Sequence, residues 1–392
     1  MERGLKTLLP LALGVLTAEA ALGLVNNFAL VLYVKDHLGL SARFAGRAIS
    51  LFLLVEMLAK APGGHLSDKL GRKPLLLFAM ALAALVPASL PFVAALEPHL
   101  IVPLRIIDGL AFGCFWPAAV AAIADAAPPG RRAEAMSIFY LAYVLGIALG
   151  PPLGSLSFWT GRLDAPFITA SLLLLLSALF FGLSPTGGKG GIVKVGPPLQ
   201  KEGDRRSAAT APIWAILLVT ALQSMGIIAL VSILPLLAEH VYGLKRETMG
   251  LFFFGPAVLV GLFAPFLGRL ADRMGEERAV KVGLLLVTAL MWAFTQARHP
   301  IHVGVVATAL ALAYMLAVPA WLSIIASVGG ERHKGMALGG MGTVQGLGAM
   351  IGPLLGTDLW ERGHLLPLYA TAITFTLSLL IVTLTVRAPK MV

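Results

Sequence analysis

Ionisable side chains interrupt stretches of the sequence that are otherwise apolar. They are Glu19, Glu56, Lys60, Arg105 and Asp108. A charge at the centre of a bilayer costs at least about 2.5 kcal/mol, so such groups are candidates for proton or ion pathways. Glu56 and Lys60 are four residues apart, and Arg105 and Asp108 are three apart, so each pair can neutralise itself on a helix. The spacing therefore predicts two local ion pairs and one isolated carboxyl group, that of Glu19.

Glu19 is the residue with the clearest capacity for proton chemistry. At 1.5 Å per residue it lies about 18 Å into the first apolar run, near the bilayer centre, and shares a helical face with Gly23, Asn26 and Asn27. A carboxyl group there can take up and release a proton as water access alternates. The alternative is a permanently neutral glutamic acid held by hydrogen bonds.

The composition indicates that these groups are positioned by helices that lie in a membrane. Of 392 residues, 58% are hydrophobic and 13% are charged, with a mean hydropathy of +0.87. Apolar runs of about 20 residues predict membrane helices, and a β-barrel would instead alternate over about ten residues. The first run continues to Tyr33, which is too long for a signal-peptide core. We therefore expect an all-α integral membrane protein.

Twelve spans are predicted from the apolar runs between charge clusters. Lys and Arg concentrate at the termini and in the even-numbered connections, which predicts a multi-pass protein of the cytoplasmic (inner) membrane with both termini cytoplasmic. The spans cover about residues 7–33, 45–63, 75–95, 101–123, 137–158, 165–184, 213–237, 249–267, 280–297, 301–326, 337–357 and 366–386.

A segment rich in Gly, Pro and basic residues divides six spans from six. It predicts an N-terminal six-helix bundle (1–184), a cytoplasmic linker (185–212) and a C-terminal six-helix bundle (213–392). The halves repeat: Gly64–Gly71 recurs as Gly268–Gly275, and Gly146–Gly154 recurs as Gly348–Gly356. Paired six-helix halves are typical of secondary transporters.

With these motifs the sequence resembles the major facilitator superfamily over essentially its whole length. The segment from Gly64 to Lys73 is similar to that family's loop motif. The resemblance implies that Asp68, Arg72 and Asp125 form a charge cluster that latches the two bundles on the cytoplasmic side. Gly64 should also allow close helix approach. An ordinary positive-inside turn is the alternative.

The second copy of the loop motif departs from the family pattern. It keeps the acid, as Asp272, but Glu276 stands where the family has arginine. We therefore expect a weaker latch in the C-terminal half.

Two further motifs bear on coupling and direction. Arg105 and the following residues resemble the family's fourth-helix motif, which implies proton coupling through Arg105 and Asp108; a snorkelling anchor is the alternative. Glycines and a proline of the fifth span resemble the antiporter signature that marks exporters. They are Gly146, Gly150, Pro151 and Gly154. Glu19 resembles the helix 1 acid of multidrug/proton antiporters, although Asn27 replaces their second acid.

Polar and aromatic residues within the spans are candidates for a substrate cavity, and the C-terminal half offers few of them. We expect a cavity that is acidic on one wall and apolar on the other, which disfavours anions. The candidates are Asn26, Asn27, Glu56, Trp116, Gln223, Trp321 and Gln345.

The leading hypothesis is proton-coupled antiport of small lipophilic neutral or cationic compounds out of the cell. A lipid or lysolipid flippase is the alternative, and sugar efflux fits the sparse polar side chains less well. No intramembrane histidine or nucleophile-plus-base spacing points to an enzyme. We expect no cofactor, no metal, no nucleic-acid partner despite the net charge of +10, and a monomer in contact with membrane lipids, substrate and protons.

Overall fold

The computed structural model describes residues 2–127, 131–184, 211–328 and 330–387, and these ranges are almost entirely helical. The long helices are labelled in chain order. They are α1 (Glu2–Leu24), α2 (Ala42–Leu70), α3 (Arg72–Leu96), α4 (Ile101–Ala126), α5 (Arg132–Ser157), α6 (Ala165–Leu183), α7 (Ile213–Leu236), α8 (Arg246–Met274), α9 (Glu276–Gln296), α10 (Pro300–Val328), α11 (Gly330–Arg362) and α12 (Leu366–Thr385). The predicted all-α fold is confirmed.

Nine helical segments within the described ranges are long and apolar enough to cross a membrane. The other three long helices, α2, α8 and α11, have 29, 29 and 33 residues and carry more charged or glycine residues. Their length exceeds the roughly 20 residues that a bilayer requires. The architecture is consistent with twelve spans, and that count stays a prediction.

The first helix changes its winding just beyond Glu19. After α1 the chain continues through a π-helical turn at Val25–Ala29, a short α-helical turn at Leu30–Leu32 and a second π-helical turn at Tyr33–His37. A π turn holds more residues than an α turn, so it rotates the side chains that follow. Asn26 is buried, with 6% of its surface exposed, whereas Asn27 is only half-buried. The two asparagines therefore have different environments.

The chain forms two compact units, Met1–Pro198 with Lys245–Leu251, and Leu199–Leu244 with Phe252–Val392. Residues 185–210 of the predicted linker lie outside the described residues. The predicted domain boundaries therefore stay a prediction.

In the first unit, the glycines of the fifth-span motif lie against α1. A Cβ atom at Gly146 would lie 2.5 Å from the carbonyl oxygen of Leu16, and one at Gly150 would lie 2.5 Å from the carbonyl carbon of Gly23. Only glycine fits contacts of this kind, because real Cβ atoms do not approach backbone so closely. The motif thus fixes α5 directly against the helix that carries Glu19.

The second unit repeats this packing between α7 and α11. A Cβ atom at Gly348 would lie 2.5 Å from the carbonyl oxygen of Ala221, and one at Gly356 would lie 2.9 Å from the carbonyl carbon of Ala229. Gly348 and Gly356 are the repeats of Gly146 and Gly154. The internal repeat of the sequence is therefore also a repeat of helix contacts.

The close approach between α2 and α4 occurs at Gly63 and not at Gly64. A Cβ atom at Gly63 would lie 2.7 Å from the carbonyl oxygen of Gly113 and 2.8 Å from the Cα atom of Cys114. At Gly64 the nearest atom, the Cβ of Pro117, would be at an ordinary 3.6 Å. The expectation that Gly64 allows close approach is wrong by one residue, because sequence cannot say which of two adjacent glycines faces the neighbouring helix.

The two adjacent glycines give a matched pair of variants. Gly63→Ala should destabilise the protein relative to Gly64→Ala by about 1–3 kcal/mol. The added methyl group would clash with backbone atoms of α4, which cannot rotate away as a flexible side chain can. Both variants gain the same helix propensity, so the difference reports the contact. Thermal unfolding in detergent measures it, and equal melting temperatures would contradict the assigned contact.

Candidate functional site

Arg105 is fully buried in the first unit, with 0% of its surface exposed. Its guanidinium group donates to the carboxylate of Asp108 on the same helix and to the side-chain oxygen of Asn26 on the first helix. It also lies 4.4 Å above the ring of Phe52 on α2. The structure thus brings together the predicted Arg105–Asp108 pair, and Arg105 joins three helices. Phe52 was not among the predicted site residues, because its side chain has no polar atom that would reveal its position.

A narrow cavity of about 10 Å³ borders Arg105 and Asp108, enclosed by apolar side chains of the first, third, fourth and sixth helices. The Nε of Arg105 and the Oδ1 of Asp108 are buried and have no hydrogen-bond partner among the described residues. A volume of this size is close to the minimum for one water molecule.

Glu19 is the isolated carboxyl group that its spacing predicts. Its surface is 0% exposed, and neither carboxyl oxygen has a hydrogen-bond partner within the described ranges. It lies where α5 approaches α1, since a Cβ atom at Gly146 would be 2.7 Å from the Cβ of Glu19. The helix packing therefore encloses this side chain.

The corresponding position in the second unit is Ser224. Gly348, the repeat of Gly146, has the Cβ of Ser224 as a neighbour, at 3.1 Å from where its own Cβ would lie. Ser224 donates a hydrogen bond of 2.8 Å to the backbone oxygen of Gln345. The second unit thus holds a satisfied hydroxyl group where the first unit holds an unpaired carboxyl group. The repeats of the sequence have offsets of 204 and 202 residues, which lead from Glu19 to Gln223 or Ala221, so only the contact with Gly348 identifies Ser224.

Glu56 and Lys60 on α2 form the predicted ion pair, with 2.8 Å between Oε1 and Nζ. The ammonium group of Lys60 also lies 5.4 Å from the ring centroid of Trp116 on α4. Phe139 and Tyr143 on α5 contact Trp116 edge-on, with ring centroids 5.4 and 5.1 Å away. The predicted candidates Glu56 and Trp116 therefore meet through Lys60. The two α5 aromatics were missed, although their four-residue spacing places them on one helical face.

At the predicted cytoplasmic end of α2, the three residues of the implied charge cluster, Asp68, Arg72 and Asp125, lie together. Arg72 is 5% exposed and donates to the carboxylate of Asp68, and its Nε lies 3.4 Å from Oδ2 of Asp125. Arg72 also donates to the hydroxyl of Ser67 at 3.2 Å. The arginine thus ties the α2–α3 turn to the end of α4 within the first unit.

The second copy of this cluster is built differently. Asp272 is exposed, and Glu276 accepts a hydrogen bond from Ser323 on α10. In the second unit, a hydrogen bond from a hydroxyl group to a carboxylate thus takes the place of the arginine–carboxylate contact of the first unit.

The predicted cavity residues of the second unit have separate environments. Gln223 is buried, with 7% of its surface exposed. Trp321 donates from its indole nitrogen to the hydroxyl of Thr220 at 3.2 Å, whereas the surface of Gln345 is exposed. A charged cluster like that around Arg105 was not expected here, because the interiors of the apolar runs of this half carry no charge.

The sequence matches the family model described as Major Facilitator Superfamily, over residues 11–353 and again over 216–390. The chain belongs to this superfamily, which confirms the family that its motifs indicated. It is a multi-pass membrane transporter and not an enzyme.

Relatives of known name cover most of the chain. The multi-drug resistance efflux pump PmrA homolog of Lactococcus lactis is 26% identical over 85% of this chain and 84% of its own length. The proton-coupled antiporter flippase LtaA of Staphylococcus saprophyticus is 25% identical over 86% of this chain and 84% of its own. An inward-facing, unoccupied bacterial homolog of the human lysosomal transporter Spinster shares the fold, with a TM-score of 0.73 at 15% identity over 98% and 95% of the two chains.

The environments of the two asparagines predict different outcomes for their removal. Asn26→Ala should destabilise the protein by about 1–3 kcal/mol, because a buried charged donor of Arg105 loses its acceptor. Asn27→Ala, one residue further along the same turn, is the matched control and should cost less than about 0.5 kcal/mol. Thermal unfolding in detergent measures both, and a loss of equal size in the two variants would contradict the assigned bond.

Proposed function

We propose that this protein exports small lipophilic neutral or cationic compounds in exchange for protons. The observation that carries the proposal is Glu19, a carboxyl group near the middle of the helical span Leu8–His37, fully buried and without a hydrogen-bond partner in the described part of the chain. A carboxylate at such a place costs too much unless water or a partner reaches it. Its proton is therefore gained or lost only in a conformation that admits water.

The comparison of the two units supports a single proton site on this pair of helices. Ser224 takes the place of Glu19 in the second unit and already has a hydrogen-bond acceptor. A hydroxyl group does not titrate in the physiological range. One proton per cycle at Glu19 is the simplest coupling that this arrangement allows.

Arg105 and Asp108 contribute to coupling through Asn26. Because Asn26 follows Glu19 on the same helix and accepts from Arg105, a movement of this helix on protonation changes the environment of the buried ion pair. The proton bound at Glu19 and the charges on α4 thus act on the same helix. One relative is named a multi-drug resistance efflux pump and another a proton-coupled antiporter flippase, and both names support proton-coupled export.

A lipid or lysolipid flippase remains the second candidate, because one relative carries the name proton-coupled antiporter flippase. Proteoliposomes with an imposed pH gradient separate the two. Transfer of a labelled lysolipid between leaflets, with no movement of lipophilic dyes, would select the flippase.

Glu19→Gln should reduce gradient-driven transport at least tenfold, because the amide has nearly the same shape but carries no titrating proton. The matched control is Ser224→Ala at the equivalent position, which should transport at more than half the wild-type rate. Dye efflux from proteoliposomes with an imposed pH gradient measures both. Proton-driven transport by a folded Glu19→Gln protein at the wild-type rate would refute the proton site.

We also propose that Gly64, Asp68, Arg72 and Asp125 form a conformational gate, with Asp272 as its weaker counterpart. Asp68→Asn removes a charge that Arg72 contacts, whereas Asp272→Asn changes an exposed group in a copy that lacks the arginine. Asp68→Asn should therefore lower the turnover rate at least fivefold with little change in ligand affinity. Asp272→Asn should lower it less than twofold. Equal turnover of the two variants would contradict the gate.

A further inference from the structure

The ammonium group of Lys60 occupies a position that has the chemistry of an organic-cation site. Its Nζ is 2.8 Å from a carboxylate oxygen of Glu56 and 5.4 Å from the centroid of the Trp116 ring. A carboxylate combined with an aromatic face is the arrangement that attracts alkylated or aromatic cations. We propose that Glu56 and Trp116 bind the cationic group of a lipophilic organic cation, and that the Lys60 ammonium group fills this site until such a cation displaces it.

The helix backbones fix the site before any ligand arrives. A Cβ atom at Gly113 would lie 3.0 Å from the carbonyl oxygen of Glu56, so α2 and α4 touch at the turn that carries this acid. That contact brings Lys60, one helical turn further, over Trp116, which lies three residues after Gly113. Phe139 and Tyr143 then hold the indole ring edge-on from α5. The acid and the aromatic face are preorganised, whereas the lysine stem is flexible.

The difference in exposure between the two charges makes Lys60 displaceable. The side chain of Glu56 is 9% exposed, whereas that of Lys60 is 46% exposed. An ion pair with a half-exposed lysine contributes little to stability, and its long stem can turn the ammonium group into water. Glu56 is buried and cannot follow, so the departure of Lys60 leaves a net negative charge that a cation can neutralise. A neutral compound gains nothing from this exchange.

The inference rests on the proposed export of lipophilic compounds, and it adds the position of the cation. It is tested on the purified full-length protein in detergent, without a pH gradient, by isothermal titration with two probes of similar shape. Tetraphenylphosphonium carries a positive charge, and triphenylphosphine oxide is neutral. The difference between the two probes isolates the electrostatic contribution from apolar contact.

Lys60→Met keeps the length of the stem and removes the competing charge, so the Kd of tetraphenylphosphonium should fall at least fivefold. The Kd of triphenylphosphine oxide should change less than twofold. Lys60→Arg retains a cation and should leave the Kd of tetraphenylphosphonium within about twofold of wild type, whereas Glu56→Gln and Trp116→Leu should each raise it at least tenfold.

The chain offers a matched control outside this site. Lys281 and Glu277 on α9 also form a four-residue ion pair, with 2.5 Å between Nζ and Oε1. Lys281→Met should leave the Kd of both probes unchanged. Circular dichroism and melting temperature confirm that each variant is folded.

The inference is overturned if a folded Lys60→Met protein binds tetraphenylphosphonium no better than wild type, or if neither protein binds it. It is also overturned if both probes gain affinity equally, since the lysine would then be only a steric obstacle. Failure of the proposed function has a different signature. If the Lys60 variants do not change the Kd of tetraphenylphosphonium relative to that of triphenylphosphine oxide, while proton-driven transport is intact, only the cation site is refuted. If the expected changes in Kd occur but proton-driven transport is absent, only the proposed export is refuted.

Discussion

The close contact of helix backbones at glycine is the constraint on which the rest of this structure depends. In a bilayer, lipid tails are as apolar as leucine, so helices gain little from burying apolar side chains against each other. Small residues instead let backbones touch, as at Gly150 against the first helix and Gly63 against the fourth. Because these contacts leave no space between the helices, a side chain that lies beside a contact is buried. The burial of Glu19 beside Gly146 follows directly from this packing.

The ionisable groups predicted within the apolar stretches of the first unit divide into two ion pairs and one carboxyl group without a hydrogen bond to a described residue. Arg105 is neutralised by Asp108 and held by Asn26, and Lys60 is neutralised by Glu56. Only the isolated carboxyl group of Glu19, among the ionisable residues predicted within the apolar stretches, has neither oxygen bonded to a described residue. This difference is the reason that we propose Glu19 as the proton site.

The two units share their helix contacts but not their chemistry. The α5 and α11 glycines repeat position by position, while Ser224 replaces Glu19 and Glu276 replaces Arg72. Backbone packing depends on the absence of a side chain, which duplication preserves easily. A polar side chain can be exchanged without moving the backbone, provided that the new group finds a partner, as Ser224 and Glu276 both do. The repeat therefore maintains the scaffold, and function can be concentrated in one half.

The sequence by itself determined the helical membrane fold, the family and the local ion pairs, because apolar run length and three- or four-residue spacing are properties of the chain alone. It also identified Glu19 as the carboxyl group without a neighbour. Only the tertiary structure placed Asn26 on Arg105, chose Gly63 over Gly64, and joined Glu56 to Trp116 through Lys60. These relations depend on how helices rotate about their axes and on the π turn after Leu24, and a rotation of one residue, about 100°, leaves the apolar pattern almost unchanged.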